Sequence, residues 1–470
     1  MTTRLSPILA ALALALAGCA VGPDYVRPGS TLPDAYRETA ADMQAATIDQ
    51  QWWRAFNDEE LNALVNKALQ DSTDIRIAIA RVEQADAVAR QAGATLFPEV
   101  FADANASRYR VSALAANAPA AGLPLIYNNS QLAASTSYEL DFWGRLRRTR
   151  ESALALAEAS RYSRDTVRLT LAGSVVSTYI SLRGNDAQIA ATRDTLKTRE
   201  EAYTIAKHRY ELGSASRLDL EQADNSRATA AAQLSVLQQA RALDANLLAQ
   251  LIGVPNLVVG GSDGDLSKLP LPPVPPVGLP SALLDARPDV RASEAQLASA
   301  NANIGVAKAA LFPSISLTGA FGVQSQDLSD LFKGGSRIWS VGGLIDLPLF
   351  DAGRRSAQLD QATAIQKEAV EQYRKTAENA YREVRDALVG VTQNEETERQ
   401  YERALTAARN AERIARARYE AGSAAFLELL DAQRSTNDAQ VQFIRARQNR
   451  LAASVDLYKA LGGGWKASID

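Results

Sequence analysis

Arg209-Tyr210-Glu211-Leu212-Gly213-Ser214-Ala215 recurs further along the chain as Arg418-Tyr419-Glu420-Ala421-Gly422-Ser423-Ala424, an offset of 209 residues. The offset holds without gaps to Gly253 and Gly462, with 16 identities in those 45 positions. Ala94-Thr-Leu-Phe-Pro98 likewise returns as Ala309-Ala-Leu-Phe-Pro313, and Phe142-Trp-Gly-Arg145 is echoed by Phe350-Asp-Ala-Gly-Arg354. So long a period marks a duplicated domain rather than a solenoid array. Each half reads helix, strand, loop, strand, very long helix, glycine turn, helix.

Working outward from the repeat, prolines are absent from 125–254 and from 349–470, the two stretches free of the residue that breaks a helical ladder. Val370, Tyr373, Ala377, Ala380, Val384, Ala387 and Val391 alternate spacings of three and four, the seam of a coiled coil with small residues in it. A helix over about 353–420 follows, with a counterpart over about 145–211, each on the order of 100 Å long. The expected body is elongated. Eight prolines crowd between Pro255 and Pro288 and read as an extended connector. Alanine supplies 87 residues, which suits close helix–helix approach.

Four short segments instead alternate with a period of two, at about 99–110, 129–141, 314–323 and 337–349. Strands of roughly ten residues with one apolar and one polar or small face are long enough to cross an outer membrane when tilted. Four strands cannot close a barrel, and an open edge in lipid leaves amides unsatisfied at several kcal/mol each. Closure therefore requires several chains. Two give a bore filled by side chains, three give twelve strands and four give sixteen; a wet lumen favours three or more.

The composition excludes much else. One Cys forbids an internal disulfide, and one His with one Cys leaves no zinc site or His-based triad. No cofactor, metal or catalytic constellation is expected, and the chain does not read as an enzyme. A formal charge of −3 gives no sign of nucleic-acid binding. Ile8 to Ala17 is an apolar run too short to span a bilayer, preceded by Arg4 and ending in Leu16-Ala17-Gly18-Cys19. It looks like the lipobox of bacterial lipoproteins, with 1–18 removed and Cys19 acylated. Ala20 follows the Cys where inner-membrane retention resembles an Asp, so the outer membrane is the expected destination.

Six further stretches resemble the TolC-type outer membrane factor family, in its acylated multidrug-efflux lipoprotein branch. They are Gln51-Trp-Trp-Arg-Ala-Phe56 with Leu61 to Leu69, Tyr138-Glu-Leu-Asp-Phe-Trp-Gly144, Leu279-Pro-Ser-Ala-Leu-Leu-Asp-Ala-Arg-Pro-Asp289, Ala310-Leu-Phe-Pro-Ser314, Leu430-Asp-Ala-Gln-Arg-Ser435 and Leu457-Tyr-Lys-Ala-Leu-Gly-Gly-Gly-Trp465. The resemblance covers essentially the whole mature chain. It implies a mainly α protein with membrane β structure: a homotrimer whose twelve-stranded barrel, four strands per chain, continues into a long α-helical periplasmic barrel. The implied organisation is a signal peptide at 1–18, an acylated N-terminal and equatorial segment at 19–59, and a first repeat at 60–253. A Pro-rich connector at 254–280, a second repeat at 281–462 and a C-terminal equatorial tail at 463–470 complete it. The implied function is the passive exit channel of a tripartite pump, working with a periplasmic adaptor and an inner-membrane transporter of RND type. An outer-membrane duct of a type I protein secretion system is the alternative.

The family closes its tunnel at the helix tips. The resemblance places a constriction at Leu427, Asp431 and Arg434, with Glu428 and Asp219 at the matched position six residues after each tip glycine. The residue types agree: three Asp431 side chains about an axis would form an acidic ring, compensated by Arg434, and Leu427 one turn away an apolar plug. Some relatives carry Arg two residues after the second tip glycine, where this chain has Ala424. Adaptor contact is expected at Arg209, Tyr210 and Gly213 and at Arg418, Tyr419 and Gly422. The glycines also serve as left-handed helix caps. His208 reads as a solvated helix residue.

Overall fold

The computed structural model describes residues 20–29, 32–33, 35–36, 48–116, 119–120, 122–260, 266–275, 277–278 and 280–466. The expected signal segment and Cys19 lie outside them. Eleven elements organise the fold among the described residues. The first half contains α1 (Glu59–Asp71), α2 (Thr73–Ala94), β1 (Glu99–Arg110), β2 (Ile126–Glu139), α3 (Arg145–Glu211) and α4 (Arg217–Ile252). The second contains α5 (Pro288–Ala309), β3 (Ser314–Ser325), β4 (Arg337–Asp346), α6 (Arg354–Glu420) and α7 (Phe426–Ala460). Helices α3 and α6 are 67 residues each. The seam read on α6 is buried from Tyr373 through Ala387, with Val370 and Val391 half-buried at its ends. β2 starts three residues before its expected position, because Ile126, Tyr127 and Asn128 still pair with the end of β1. β4 stops at Asp346, where its partner β3 begins.

The chain forms two compact units, each drawing on both halves of the repeat. The first contains the described residues of Met1–Pro28 with Val82–Ala159 and Ser293–Tyr373. Here the four strands form one antiparallel sheet in the order β1-β2-β3-β4. The register runs without a bulge, so directly paired residues share a face. Ala104↔Leu132, Leu132↔Val323 and Val323↔Arg337 form one continuous row. One face carries Val100, Ala102, Leu132, Leu317, Phe321, Trp339, Val341 and Ile345; the other carries Asp103, Asn105, Gln131, Ser135, Thr318 and Ser340. The apolar face is uncovered: Trp339 is 75% exposed and Val341 81%. β1 and β4 are both edges.

Below the sheet, alanines set the packing distance. Ala89 of α2 meets Ala153 and Ala157 of α3, all buried, with nothing larger than a methyl between the backbones. Asp141 starts α3 by accepting from the amides of Leu146 (3.0 Å) and Arg147 (2.9 Å). Trp143 stacks on Phe312 at 4.6 Å and donates its indole N–H to the Pro313 carbonyl at 2.8 Å. That contact joins the two strand–helix junctions, and explains why the Phe-Trp-Gly and Leu-Phe-Pro motifs occur together.

The second unit contains Gly29–Arg81, Ser160–Ala292 and Arg374–Asp470, as far as these are described. Its core gathers Trp52, Phe56, Leu61, Val65, Val175, Tyr179, Leu248, Ile252, Leu451 and Tyr458. Trp52 stacks on Tyr458 at 5.5 Å, and the Tyr458 hydroxyl donates to the Pro273 carbonyl at 2.8 Å, pinning the Pro-rich connector. Arg287, buried, bridges Asp289 (2.7 Å), Glu383 (2.8 Å) and the Ala460 carbonyl (3.0 Å). Arg183 holds Glu60, Asp186 and the Gly260 carbonyl. These pairs satisfy charges that burial alone would penalise.

Candidate gate and docking tips

All the expected tip and gate residues lie in the second unit. The two turns are built alike. Gly213 and Gly422 each have φ near +73°, the left-handed conformation that ends a helix at low cost only for glycine. Gly213 donates to the Tyr210 carbonyl at 2.9 Å and Ser214 to that of Arg209 at 2.8 Å. Gly422 and Ser423 repeat the pattern on Tyr419 (3.0 Å) and Arg418 (2.9 Å). Leu212 is 81% exposed, between Glu211 and Gly213.

Beyond the glycines the tips diverge. At the first, Ser216 and Asp219 form a capping box: the Asp219 amide donates to the Ser216 hydroxyl at 3.1 Å, and the Ser216 amide to the Asp219 carboxylate at 3.1 Å. The offset of 209 puts Ala425 in place of Ser216 and Glu428 in place of Asp219. The Ala425 methyl cannot accept a hydrogen bond to cap α7, and the Glu428 carboxylate instead pairs with Arg418 across the turn. Asp431 and Arg434 pair with each other at 2.8 Å, both about two-thirds exposed, and Leu427 is exposed beside them. Among the described residues no hydrogen bond or ion pair joins Asp219 to Asp431 or Arg434.

One contact was not legible in the sequence. Arg209 donates to the Tyr419 hydroxyl at 2.7 Å while its guanidinium lies 5.1 Å from the centre of the same ring. Tyr419 in turn leans on Phe426 at 5.7 Å. The two tips are thereby clasped together. The repeat marks both residues, but it aligns Arg209 with Arg418 and Tyr210 with Tyr419, so it gives no hint of pairing between different positions.

Among α3, α6 and α7 there is a cavity of about 1280 Å³. Glu398 holds Arg447 (3.1 Å) and Arg450 (2.9 Å) in its wall, and Arg450 also reaches Glu395 at 2.7 Å. Burial pushes the Arg199 guanidinium there below its ordinary range. Walls of charge and hydroxyl suit water and solutes rather than capture of an apolar ligand. No cluster of His, Cys, Asp or Glu able to hold a metal occurs among the described residues.

A sheet with a bare apolar face and two open edges, in a chain that also forms very long helical hairpins, defines a subunit of a membrane channel. The family model for outer membrane efflux proteins matches residues 64–254 and 279–463, and the chain belongs to that family. It is 37% identical to the outer membrane protein OprJ of Pseudomonas aeruginosa over 97% of this chain and 95% of that protein. The probable efflux pump outer membrane protein TtgC of Pseudomonas putida shares 37% over the same proportions. The solved outer-membrane channel OprN superposes with a TM-score of 0.86 at 31% identity, covering 95% of this chain and all of that one. The protein is an outer-membrane efflux channel of the TolC-like fold, a conduit rather than an enzyme. A protein-secretion duct is not favoured by these relatives.

Proposed function

We propose that three copies close one twelve-stranded barrel, with the apolar sheet face in lipid and the polar face lining a wet lumen, and that the helical hairpins continue the conduit into the periplasm. The observation that carries this reading is the uncovered apolar face between the unpaired edges of β1 and β4. In lipid those edges would each expose a row of amides, and neighbouring copies supply their partners. Two copies would fill their own bore with side chains, whereas twelve strands leave it open. The repeat organisation from 60–253 and 281–462, joined by the connector at 254–280, then supplies two hairpins per chain. Cys19 carries the lipid that anchors each copy to the membrane.

The constriction lies at the second tip, where Asp431 of three copies faces one axis. The Arg434 partner at 2.8 Å offsets part of that repulsion. Leu427 forms the apolar part of the plug, and Glu428 and Asp219 shape the turns. The clasped tips, with Arg209, Tyr210, Gly213, Arg418, Tyr419 and Gly422, dock a periplasmic adaptor that links the channel to an inner-membrane transporter of RND type. The test is single-channel recording in planar bilayers. Asp431→Ala or Arg434→Ala raises conductance if these residues narrow the pore, and unchanged conductance in both variants removes them from the gate.

A further inference from the structure

The sheet sorts its charges. Its strands hold four carboxylates, Glu99, Asp103, Glu139 and Asp346, and three arginines, Arg108, Arg110 and Arg337. By register every carboxylate falls on the polar face. All three arginines fall on the apolar face, opposite Asn128, Ile126 and Val323. They also share one end: Arg108 and Arg110 finish β1 before its loop, and Arg337 begins β4 after the other loop. The helices join the strands at the opposite end.

A cation on a lipid-facing surface costs roughly 2–4 kcal/mol at the bilayer midplane and about 0–1 near an interface. Three at one end therefore mark where the sheet leaves the hydrocarbon. The distances agree. Val100 to Arg108 on β1 and Ile345 to Arg337 on β4 each span eight residues, about 27 Å along a strand and about 20 Å along the membrane normal at the usual tilt. Trp339 lies next to Arg337 on the same face, an aromatic at the level expected of an interfacial girdle.

Among the described residues no carboxylate pairs with these arginines. The loop between β1 and β2 (111–125) contains no Asp or Glu. The loop before β4 carries Asp327 and Asp330; Asp330 is held by Lys333 at 2.5 Å, and neither pairs with Arg337. None of the three arginines makes an ion pair among the described residues. Guanidinium groups match phosphate oxygens with two parallel hydrogen bonds each, which suits them to a phosphorylated headgroup at this depth.

We propose that Arg108, Arg110 and Arg337 bind the phosphate groups of lipids in the outer leaflet of the membrane. The proposal rests on the barrel reading above, which turns this face to lipid and the loops to the exterior. It is tested on the purified full-length channel in detergent, by following its thermal unfolding on titration with bisphosphorylated lipid A, with dephosphorylated lipid A and with inorganic phosphate. Bisphosphorylated lipid A raises the unfolding temperature of the wild type, and the other two do not. The combined variant Arg108→Gln, Arg110→Gln, Arg337→Gln loses the response, each single replacement weakening the lipid about fivefold. An equal response to the dephosphorylated lipid or to free phosphate overturns the proposal, as does a full response in the combined variant. The comparison on the unaltered protein decides the matter if that variant does not assemble. Conductance of the same wild-type preparation separates the two readings: channels without phosphate preference defeat the lipid site alone, and no channels defeat the barrel.

Discussion

Replacing Tyr419 by phenylalanine removes one hydroxyl from the clasp between the two tips and leaves the ring in place. The hydroxyl accepts from Arg209 at 2.7 Å, and the ring keeps its 5.1 Å contact with the guanidinium and its 5.7 Å contact with Phe426. Hydrogen bonds to charged groups contribute about 1.5–3 kcal/mol in protected sites. Arg209 is exposed and Tyr419 half-buried, so solvent reduces this to roughly 0.5–1 kcal/mol per copy. If three clasps open together the closed state loses about 1.5–3 kcal/mol, a ten- to hundredfold gain in the ratio of open to closed channels. Single-channel recording in planar bilayers reads that ratio directly. Arg209→Ala removes the hydrogen bond and the ring contact, so its effect is the larger of the two. The double variant behaves like Arg209→Ala alone, because both changes act on one interaction. Wild-type open probability in Tyr419→Phe, or effects that simply add in the double variant, would refute the clasp as a closing contact.

Two further predictions concern the helical unit. Arg287→Met leaves Asp289 and Glu383 without their shared cation; both carboxylates are partly exposed, so the loss is about 2–3 kcal/mol rather than the full cost of a buried pair, and thermal unfolding in detergent shows it as a lowered midpoint. Gly462→Ala combines a φ of +86° with a Cβ that would stand 2.1 Å from the Ala286 carbonyl oxygen. Strain alone costs roughly 1–2 kcal/mol and the added methyl meets backbone rather than a movable side chain, so less assembled protein is recovered and it melts earlier; a wild-type melting curve would contradict that packing.

The long elements were readable because their signals are local and repeated. Absence of proline with a 3–4 spacing on α6 bounds a helix to within a residue or so, giving Arg354–Glu420 where about 353–420 is expected. The alternation of Val100, Ala102, Ala104 and Ala106 fixes the faces of β1 for the same reason. What escaped the sequence depends on distant pairing. Arg108 and Arg110 continue the apolar parity of β1, but that only matters once Arg337 is seen on the same face two strands beyond β2. Arg287-Pro288-Asp289 stood out as a motif, yet its role as a bridge to Glu383 and the Ala460 carbonyl requires the fold. At the tips the repeat located Arg209, Tyr210 and Gly213 and their counterparts Arg418, Tyr419 and Gly422, but not that Glu428 would turn to Arg418 while Asp219 turned to Ser216. That difference goes with two changes between the repeats, Ala425 for the capping Ser216 and Glu428 for Asp219.

The barrel account depends on copies of the chain completing one another's sheet edges. Native mass spectrometry of the full-length protein, released from detergent without crosslinking, measures this most directly. The account predicts a single species of three chains. A stable, folded monomer would contradict it.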